Sequence, residues 1–156
     1  MLKNYWKHFI TITRHKVHVF RECRKYGLYW QGLTHDLSKY SLAEFRLAKY
    51  YIGTGSPVVQ EKRQLGYSKS WLHHIHCNKH HWEYWYDPTD DRIAPIPKKY
   101  IKEMVCDIIA ASKVYNGKNY TNEKPIEYMD KSDSHPQEVK DLIMPLLIAN
   151  LNQKGR

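Results

Sequence analysis

The stretch NYWKHFITITRHKVHVFRECRKY, residues 4–26, decides the fold class. Placed on a helix at about 100° per residue, its apolar side chains fill one broad arc. The members of this arc are Trp6, Phe9, Ile10, Ile12, Val17, Val19, Phe20 and Cys23. The stretch contains neither glycine nor proline and stops at Gly27. It therefore predicts one long helix that packs this arc against a core.

The segment after the first helix predicts two more helices. Ser41, with Glu44 three residues later, has the pattern of a capping box, which would open a helix running to Gly53. After a short loop, Pro57 is suited to the first turn of another helix, with Ser56 as its cap.

The second half of the chain is also expected to be helical. Helical character resumes by Ser70, and a further helix is expected to open at Pro97 and end at Gly117. Pro136 is expected to open the last helix, over residues 136–153, which Pro145 would kink.

The intervening segments are predicted to be loops. Residues 86–97 form a polar, proline-marked loop, and residues 118–135 a looser stretch. No segment reads as a convincing strand. The fold class is predicted to be all-α, with residues 1–156 in a single helical domain.

Composition and charge narrow the class of protein. The 156 residues are 42% hydrophobic, which is enough to bury a core. The odd number of cysteines, three, and the absence of a C-x-x-C pair favour a reducing compartment, and no segment is long enough to span a membrane. We therefore expect a soluble cytoplasmic protein. The net charge of +9 favours anionic partners, such as nucleotides, nucleic acid or an acidic protein, and leaves the oligomeric state open.

Residues 71–85, WLHHIHCNKHHWEYW, contain five of the ten histidines and three of the five tryptophans. Two interpretations remain open: a metal site, or an aromatic patch whose histidines are incidental. His74 and His81 are two helical turns apart, about 10 Å along the axis. They can share one metal ion only if the helix ends near Asn78.

Other candidate ligands lie on separate predicted elements. His35 and Asp36 are adjacent in THDLSK, and His15 lies at the inner edge of the first helix's apolar arc, with His18 on the opposite side. Asp107 lies at the rim of the apolar face of its helix, where it could instead pair with a basic residue. Imidazole and carboxylate together suit zinc, manganese or iron.

Four motifs, RHKVHV, GLTHDLSKYSLAEF, NKHHWEYW and EMVCD, resemble those of a known superfamily. The order His, His-Asp, Asp on separate helices is similar to that of the HD superfamily of metal-dependent phosphohydrolases. The closer resemblance is to an uncharacterised bacterial and phage family within or near that fold. It covers roughly residues 10–115 and implies a single HD-like helical domain.

The resemblance also implies a ligand set for one or two divalent ions of manganese, zinc or iron. The implied metal ligands are His15, His35, Asp36 and Asp107. In HD proteins with two metals, two further histidines contribute, a role for which the candidates are His74 with His80 or His81. Glu83 would then accept a hydrogen bond from an imidazole behind the metal.

The implied activity is hydrolysis of a nucleotide or another small phosphorylated substrate. HD nucleotidases commonly place an acid shortly after the HD pair, but here Lys39 is the third residue after Asp36, and the nearest acid is Glu44. Lys39 and Glu44 are the candidate catalytic residues, with Lys39 as a phosphate contact, and the general base stays open. Two alternatives remain: an HD-fold di-iron oxygenase, and a non-catalytic basic module that binds a nucleotide or nucleic acid. The aromatic residues would wall a pocket, where they could stack a nucleobase, or belong to the core.

Overall fold

The structure, a computed structural model, describes residues 2–50 and 56–152. Helices make up most of these residues. The α-helices are α1 (Leu2–Lys25), α2 (Tyr29–Thr34), α3 (Leu42–Phe45), α4 (Pro57–Leu65), α5 (Lys69–Cys77), α6 (Lys98–Asn116), α7 (Lys124–Lys131) and α8 (Gln137–Asn152). Short 3-10 helices cover Leu37–Tyr40, Arg46–Tyr50, Trp82–Trp85 and Gly117–Asn119. The predicted all-α class is confirmed. Over the same residues, no helix is both long enough and apolar enough to cross a membrane.

The packing of α1 against α6 forms one of two buried clusters. Val19 and Cys23 of α1 meet Cys106 and Ala110 of α6, and all four side chains are fully buried. Helix α2 lies close to α1 at Gly32, where an added Cβ would stand 3.0 Å from Cβ of Cys23. Close packing therefore joins α1 and α6, which carry His15 and Asp107, to α2, which His35 directly follows.

The second cluster joins α6 to α7 and α8. Its buried members are Met104, Val105, Ile108, Ile109, Met129, Val139, Ile143 and Leu147. The sequence predicts a loose stretch over residues 118–135, and this prediction is wrong where helix α7 forms. The helix is short and begins with Pro125 in its first turn, and it buries only Pro125 and Met129. The predicted start of the last helix is confirmed, and Pro145 lies inside α8.

The prediction of one continuous helix from Ser41 to Gly53 is wrong over the described residues, which here end at Tyr50. One turn, α3, is followed by the 3-10 helix Arg46–Tyr50, and residues 51–55 lie outside the described part. The capping box does not form, because Ser41 makes no side-chain cap hydrogen bond. The carboxylate of Glu44 is bonded to two histidines instead. The predicted start of α4 at Pro57 is confirmed, although Ser56 also makes no side-chain cap.

The apolar arc predicted for α1 is too broad. Trp6, Phe9, Ile10 and Val17 face solvent, with Trp6 63% exposed. The buried face carries Ile12, Val19 and Cys23 together with polar residues, among them His8, His15 and Glu22. The core side of α1 is therefore partly polar, and much of its apolar surface lies outside the core.

The predicted loop at residues 86–97 contains a minimal hairpin. Strand β1 (Tyr86–Asp87) pairs antiparallel with β2 (Arg92–Ile93). The hairpin connects the 3-10 helix at Trp82–Trp85 to α6, so the expectation of no strand is wrong at this one place among the described residues.

Candidate metal centre

A tight turn after α2 presents the adjacent His35 and Asp36. His35 is the C-cap of α2, and Asp36 has the left-handed backbone conformation φ 54°, ψ 27°. Nζ of Lys16 donates to the carbonyl oxygens of Leu33 at 2.6 Å and of His35 at 2.8 Å. These bonds tie the turn to α1, next to His15. A strained backbone held in this way is typical of functional sites.

A second turn brings together the histidines that are separated in sequence. Helix α5 ends at Cys77, and Asn78 is extended, at φ −123° and ψ 107°. Nδ2 of Asn78 donates to the carbonyl oxygen of His74 and to Oγ of Ser38, each at 2.8 Å. The chain then folds back, so that Nε2 of His81 lies 2.9 Å from Nε2 of His74. The condition for a shared site, a helix that ends near Asn78, is met.

Four of the predicted ligands form a first set: His15, His35, Asp36 and Asp107. One possible ligand atom from each lies within 4.8 Å of all the others. Nε2 of His15 is 2.8 Å from Oδ1 of Asp107, and Nε2 of His35 is 3.2 Å from Oδ2 of Asp36.

A second set consists of Asp36, His74, His80 and His81, within the same 4.8 Å limit. Nε2 of His74 and Nε2 of His80 each lie 3.4 Å from Oδ1 of Asp36. Asp36 therefore belongs to both sets, with one oxygen toward each. Both His80 and His81 join His74, where the sequence left open which of the two would.

Several atoms of these sets are buried, and their close contacts with other described residues do not have the geometry of a hydrogen bond. They are Nε2 of His15, His35 and His80, and Oδ1 of Asp36. A buried polar atom left unsatisfied costs about 1–3 kcal/mol. A cation coordinated by these atoms would remove that cost, and imidazole with carboxylate is a ligand set for zinc, manganese or iron. The residues therefore fit a divalent metal.

Buried carboxylates hold the outer side of three of these rings. Nδ1 of His35 lies 3.0 Å and Nδ1 of His80 3.4 Å from Oε1 of Glu103, and Nδ1 of His74 lies 2.8 Å from Oε2 of Glu44. Because an ionised carboxylate can only accept, Nδ1 of His35 and Nδ1 of His74, which are hydrogen-bonded to these carboxylates, carry the proton. In the neutral ring, Nε2 then presents a lone pair to the interior, which is the form that binds metal.

The structure places Glu44 where it does not suit activation of water. Its two oxygens are taken up by Nδ1 of His73 and Nδ1 of His74, each at 2.8 Å. It is buried behind His74, on the side opposite Nε2. The expected catalytic role of Glu44 is therefore corrected to an orienting one.

Glu83 lies beside His81 without a hydrogen bond to it. Oε2 of Glu83 is 3.9 Å from Nδ1 of His81 and has no hydrogen-bond partner in the described part of the chain. Burial raises the pKa of the Glu83 carboxyl. The predicted acceptor is thus adjacent to its histidine, but beyond hydrogen-bonding distance.

Lys39 forms an ion pair with the carboxylate shared by the two sets. Its Nζ donates to Oδ2 of Asp36 at 2.5 Å, and its side chain is 30% exposed. Burial would raise the pKa of the Asp36 carboxyl, but His35 and Lys39 hold it well below its usual value. Phosphate contact by Lys39 stays a prediction.

Charge and burial shift the pKa values of the histidines in opposite directions, even within the first set. Burial opposes protonation of His35, but Asp36, Asp107 and Glu103 outweigh it and raise its pKa well above the ordinary value. For His15 and His81, burial is the largest effect and lowers the pKa. The cluster therefore keeps His15 and His81 in the neutral, metal-binding form at ordinary pH.

The sequence left open whether the aromatic residues of the histidine-rich stretch wall a pocket or belong to the core, and two of its tryptophans differ in this respect. The ring of Trp71 lies 5.7 Å from that of His74 and 5.1 Å from that of His81 between centroids, so Trp71 borders the second set. Trp82 packs against the α6–α8 core.

Sequence reasoning missed Glu103. It stands four residues before Asp107, one turn earlier on the same face of α6, in the motif EMVCD. The four-residue spacing from Asp107 is the feature of the sequence that could have identified Glu103.

A comparison with models of protein families finds one family whose sequences resemble this chain. The model of DUF5662, a family of unknown function, matches residues 4–148, which include every residue of both sets. The chain belongs to this family. No curated protein and no solved structure matches the chain. What a DUF5662 protein does must therefore be inferred from the chemistry of the site.

Proposed function

We propose that this protein is a metal-dependent phosphohydrolase of HD type that acts on a nucleotide or another small phosphorylated molecule. The observation that carries the proposal is the position of Asp36, which faces two imidazole-rich sets with its two oxygens. A carboxylate shared in this way is suited to two neighbouring divalent ions of manganese, zinc or iron.

The residues of each set would have distinct tasks. The first set, His15, His35, Asp36 and Asp107, would hold one ion, and His74, His80 and His81 with Asp36 would hold the other. A bound divalent ion supplies a hydroxide nucleophile at neutral pH by lowering the pKa of its water. Glu103 and Glu44 keep the rings in the metal-binding tautomer.

Lys39 supports a phosphorylated substrate over a neutral one. Its ammonium group reaches the carboxylate shared by the two sets, and its side chain remains 30% exposed. A phosphoryl oxygen could accept a charge-assisted hydrogen bond from Nζ of Lys39 there. The net charge of +9 would favour the approach of such an anion. We also propose a cytoplasmic location, because all three cysteines are free thiols.

The test combines metal analysis with a substrate screen. Protein purified without added metal should contain one or two equivalents of manganese, zinc or iron, and should release phosphate from nucleotides or other phosphate monoesters or diesters. His35→Ala, which removes a ligand of the first set, should lose both metal and activity.

Three outcomes would contradict the proposal. Failure to bind metal, even after reconstitution, would remove its basis. Two irons with consumption of dioxygen would favour the oxygenase alternative. Nucleotide or nucleic-acid binding that survives metal removal, without hydrolysis by the metal-loaded protein, would favour the non-catalytic binding module.

A further inference from the structure

The two sets are joined on their outer side as well as through Asp36. Oε1 of Glu103 lies 3.0 Å from Nδ1 of His35, a member of the first set, and 3.4 Å from Nδ1 of His80, a member of the second. The two rings are adjacent, with centroids 4.3 Å apart. All three side chains are buried, so water does not compete for these contacts.

We propose that Glu103 couples the two metal sites, so that they fill as a unit; this inference rests on the metal centre proposed above. One oxygen atom, Oε1, accepts a hydrogen bond from Nδ1 of His35 and forms an ion-pair contact with Nδ1 of His80. The position of Glu103 therefore sets the direction of Nε2 in both rings. An ion that fixes the ring of His35 also fixes Glu103, and with it His80. The second ion then meets a site that is already ordered, which favours cooperative binding.

The charge of Glu103 contributes to the affinity of both sites. Two divalent ions held by sets that share Asp36 repel each other across a short, dry distance. Glu103 adds a negative charge next to one histidine of each set and offsets that repulsion for both ions. Removing the charge should therefore weaken both sites.

Glu44 is a natural comparison for Glu103. It is also a buried glutamate on an α-helix that contacts two histidines, and it accepts a hydrogen bond from each. Its partners are His74, of the second set, and His73, which belongs to neither. Glu44 can therefore orient only one site, whereas Glu103 reaches both.

The experiment is a metal titration of the metal-depleted full chain and of two variants, Glu103→Gln and Glu44→Gln, with Zn²⁺ or Mn²⁺. The wild type should bind two equivalents cooperatively. Glu103→Gln should weaken both equivalents by about 10–100-fold, the usual effect of removing a partner behind a metal ligand, and should lose the cooperativity. Glu44→Gln should weaken one equivalent only.

Two results would overturn the inference. If the wild type binds its two equivalents independently, there is no coupling, and this result needs no variant to fold. If Glu103→Gln weakens only one equivalent, as Glu44→Gln should, Glu103 serves a single site. By contrast, a wild type that binds no metal would overturn the proposed function itself.

A measurement on the metal-free protein tests the contact separately from metal binding. Nitrogen-15 NMR of histidine side chains should detect Nδ1-bound protons on both His35 and His80. Both signals should disappear or move in Glu103→Gln and stay in Glu44→Gln. If either signal is unchanged in Glu103→Gln, Glu103 does not hold both rings, whatever the metal titration shows.

Discussion

Nε2 of His15 lies 2.8 Å from Oδ1 of Asp107, and the contact joins α1 to α6. The buried cluster of Val19, Cys23, Cys106 and Ala110 joins the same two helices. Asp107 directly follows Cys106, and His15 lies one turn before Val19. The geometry of the first set therefore depends on the packing of this small cluster.

Val19→Ala should destabilise the protein by about 2 kcal/mol, because it removes two buried methyl groups and leaves a cavity between α1 and α6. Val17→Ala, on the exposed face of the same helix, should change the free energy of unfolding by less than about 0.5 kcal/mol. Urea unfolding at fixed pH compares the two. Equal effects would contradict the assignment of the two faces of α1.

Gly32→Ala should also destabilise the protein, by about 1–3 kcal/mol. The new Cβ would stand 3.0 Å from Cβ of Cys23 and 3.1 Å from Cα of Phe20, so α2 must move away from α1. Thermal unfolding gives the size of the effect. The exposed neighbour provides the control, since Leu33→Ala should leave the melting temperature nearly unchanged.

Asp36→Asn should remove most of the bound metal from both sites, because the variant loses the negative charge that faces both sets. Asparagine tolerates the left-handed backbone at φ 54°, so the far-UV circular dichroism should stay close to that of the wild type. Metal content is measured by mass spectrometry, with the exposed Asp133→Asn as control. Full metal occupancy in Asp36→Asn would refute the shared-ligand assignment.

Lys39→Met should raise KM for a phosphorylated substrate by about 10-fold or more, the effect of losing one charge-assisted hydrogen bond of about 1.5–3 kcal/mol. Metal content should not fall, because the ammonium group is not a ligand. Lys39→Arg should retain part of the affinity. Steady-state kinetics separate KM from kcat, and unchanged values of both KM and kcat in Lys39→Met would exclude a phosphate contact.

Glu22→Gln should destabilise the protein by about 3 kcal/mol at neutral pH, since Nζ of Lys113 and Nζ of Lys25 both donate to this buried carboxylate. Burial alone would raise the pKa of Glu22, but the two lysines hold it below 4.5. A lowered pKa stabilises the folded protein at pH values above that of the unfolded carboxyl, and this stabilisation is lost as the pH falls through the folded value.

The difference in unfolding free energy between wild type and Glu22→Gln should therefore be constant near neutrality and shrink below about pH 4.5. Denaturant unfolding of both proteins over this range measures it. A difference that stays constant down to acid pH would show that the ion pairs do not stabilise the fold.

The residues that the structure brings together in the two sets leave local signals in the sequence. His35 and Asp36 are adjacent, and helical periodicity turns His15 and Asp107 inward. The sequence could not show whether α5 ends at Cys77, because a polar segment that contains asparagine can either continue a helix or form a turn. Whether His74 and His81 can share one site therefore depended on an end of the helix that the sequence left open. Asn78 decides it through bonds to His74 and Ser38.

Two predictions, the capping box at Ser41 and the broad buried face of α1, failed because contacts with other parts of the fold decide the structure there. Glu44 has the spacing of a capping box, but two histidines of α5 compete for its carboxylate, and a charge-assisted bond to a buried ring is stronger than an exposed cap. Helix α1 has apolar residues around much of its circumference, so periodicity alone could not separate the buried Val19 from the exposed Val17.

The contact of Trp71 with His74 and His81 gives the protein an optical reporter of its own second set. An indole so close to two imidazoles changes its emission when those rings are protonated or bind an ion, and a paramagnetic ion should quench it more than Zn²⁺ does. Replacing Trp71 with phenylalanine would identify its share of the signal. The filling of one half of the centre could then be followed in real time without any attached label.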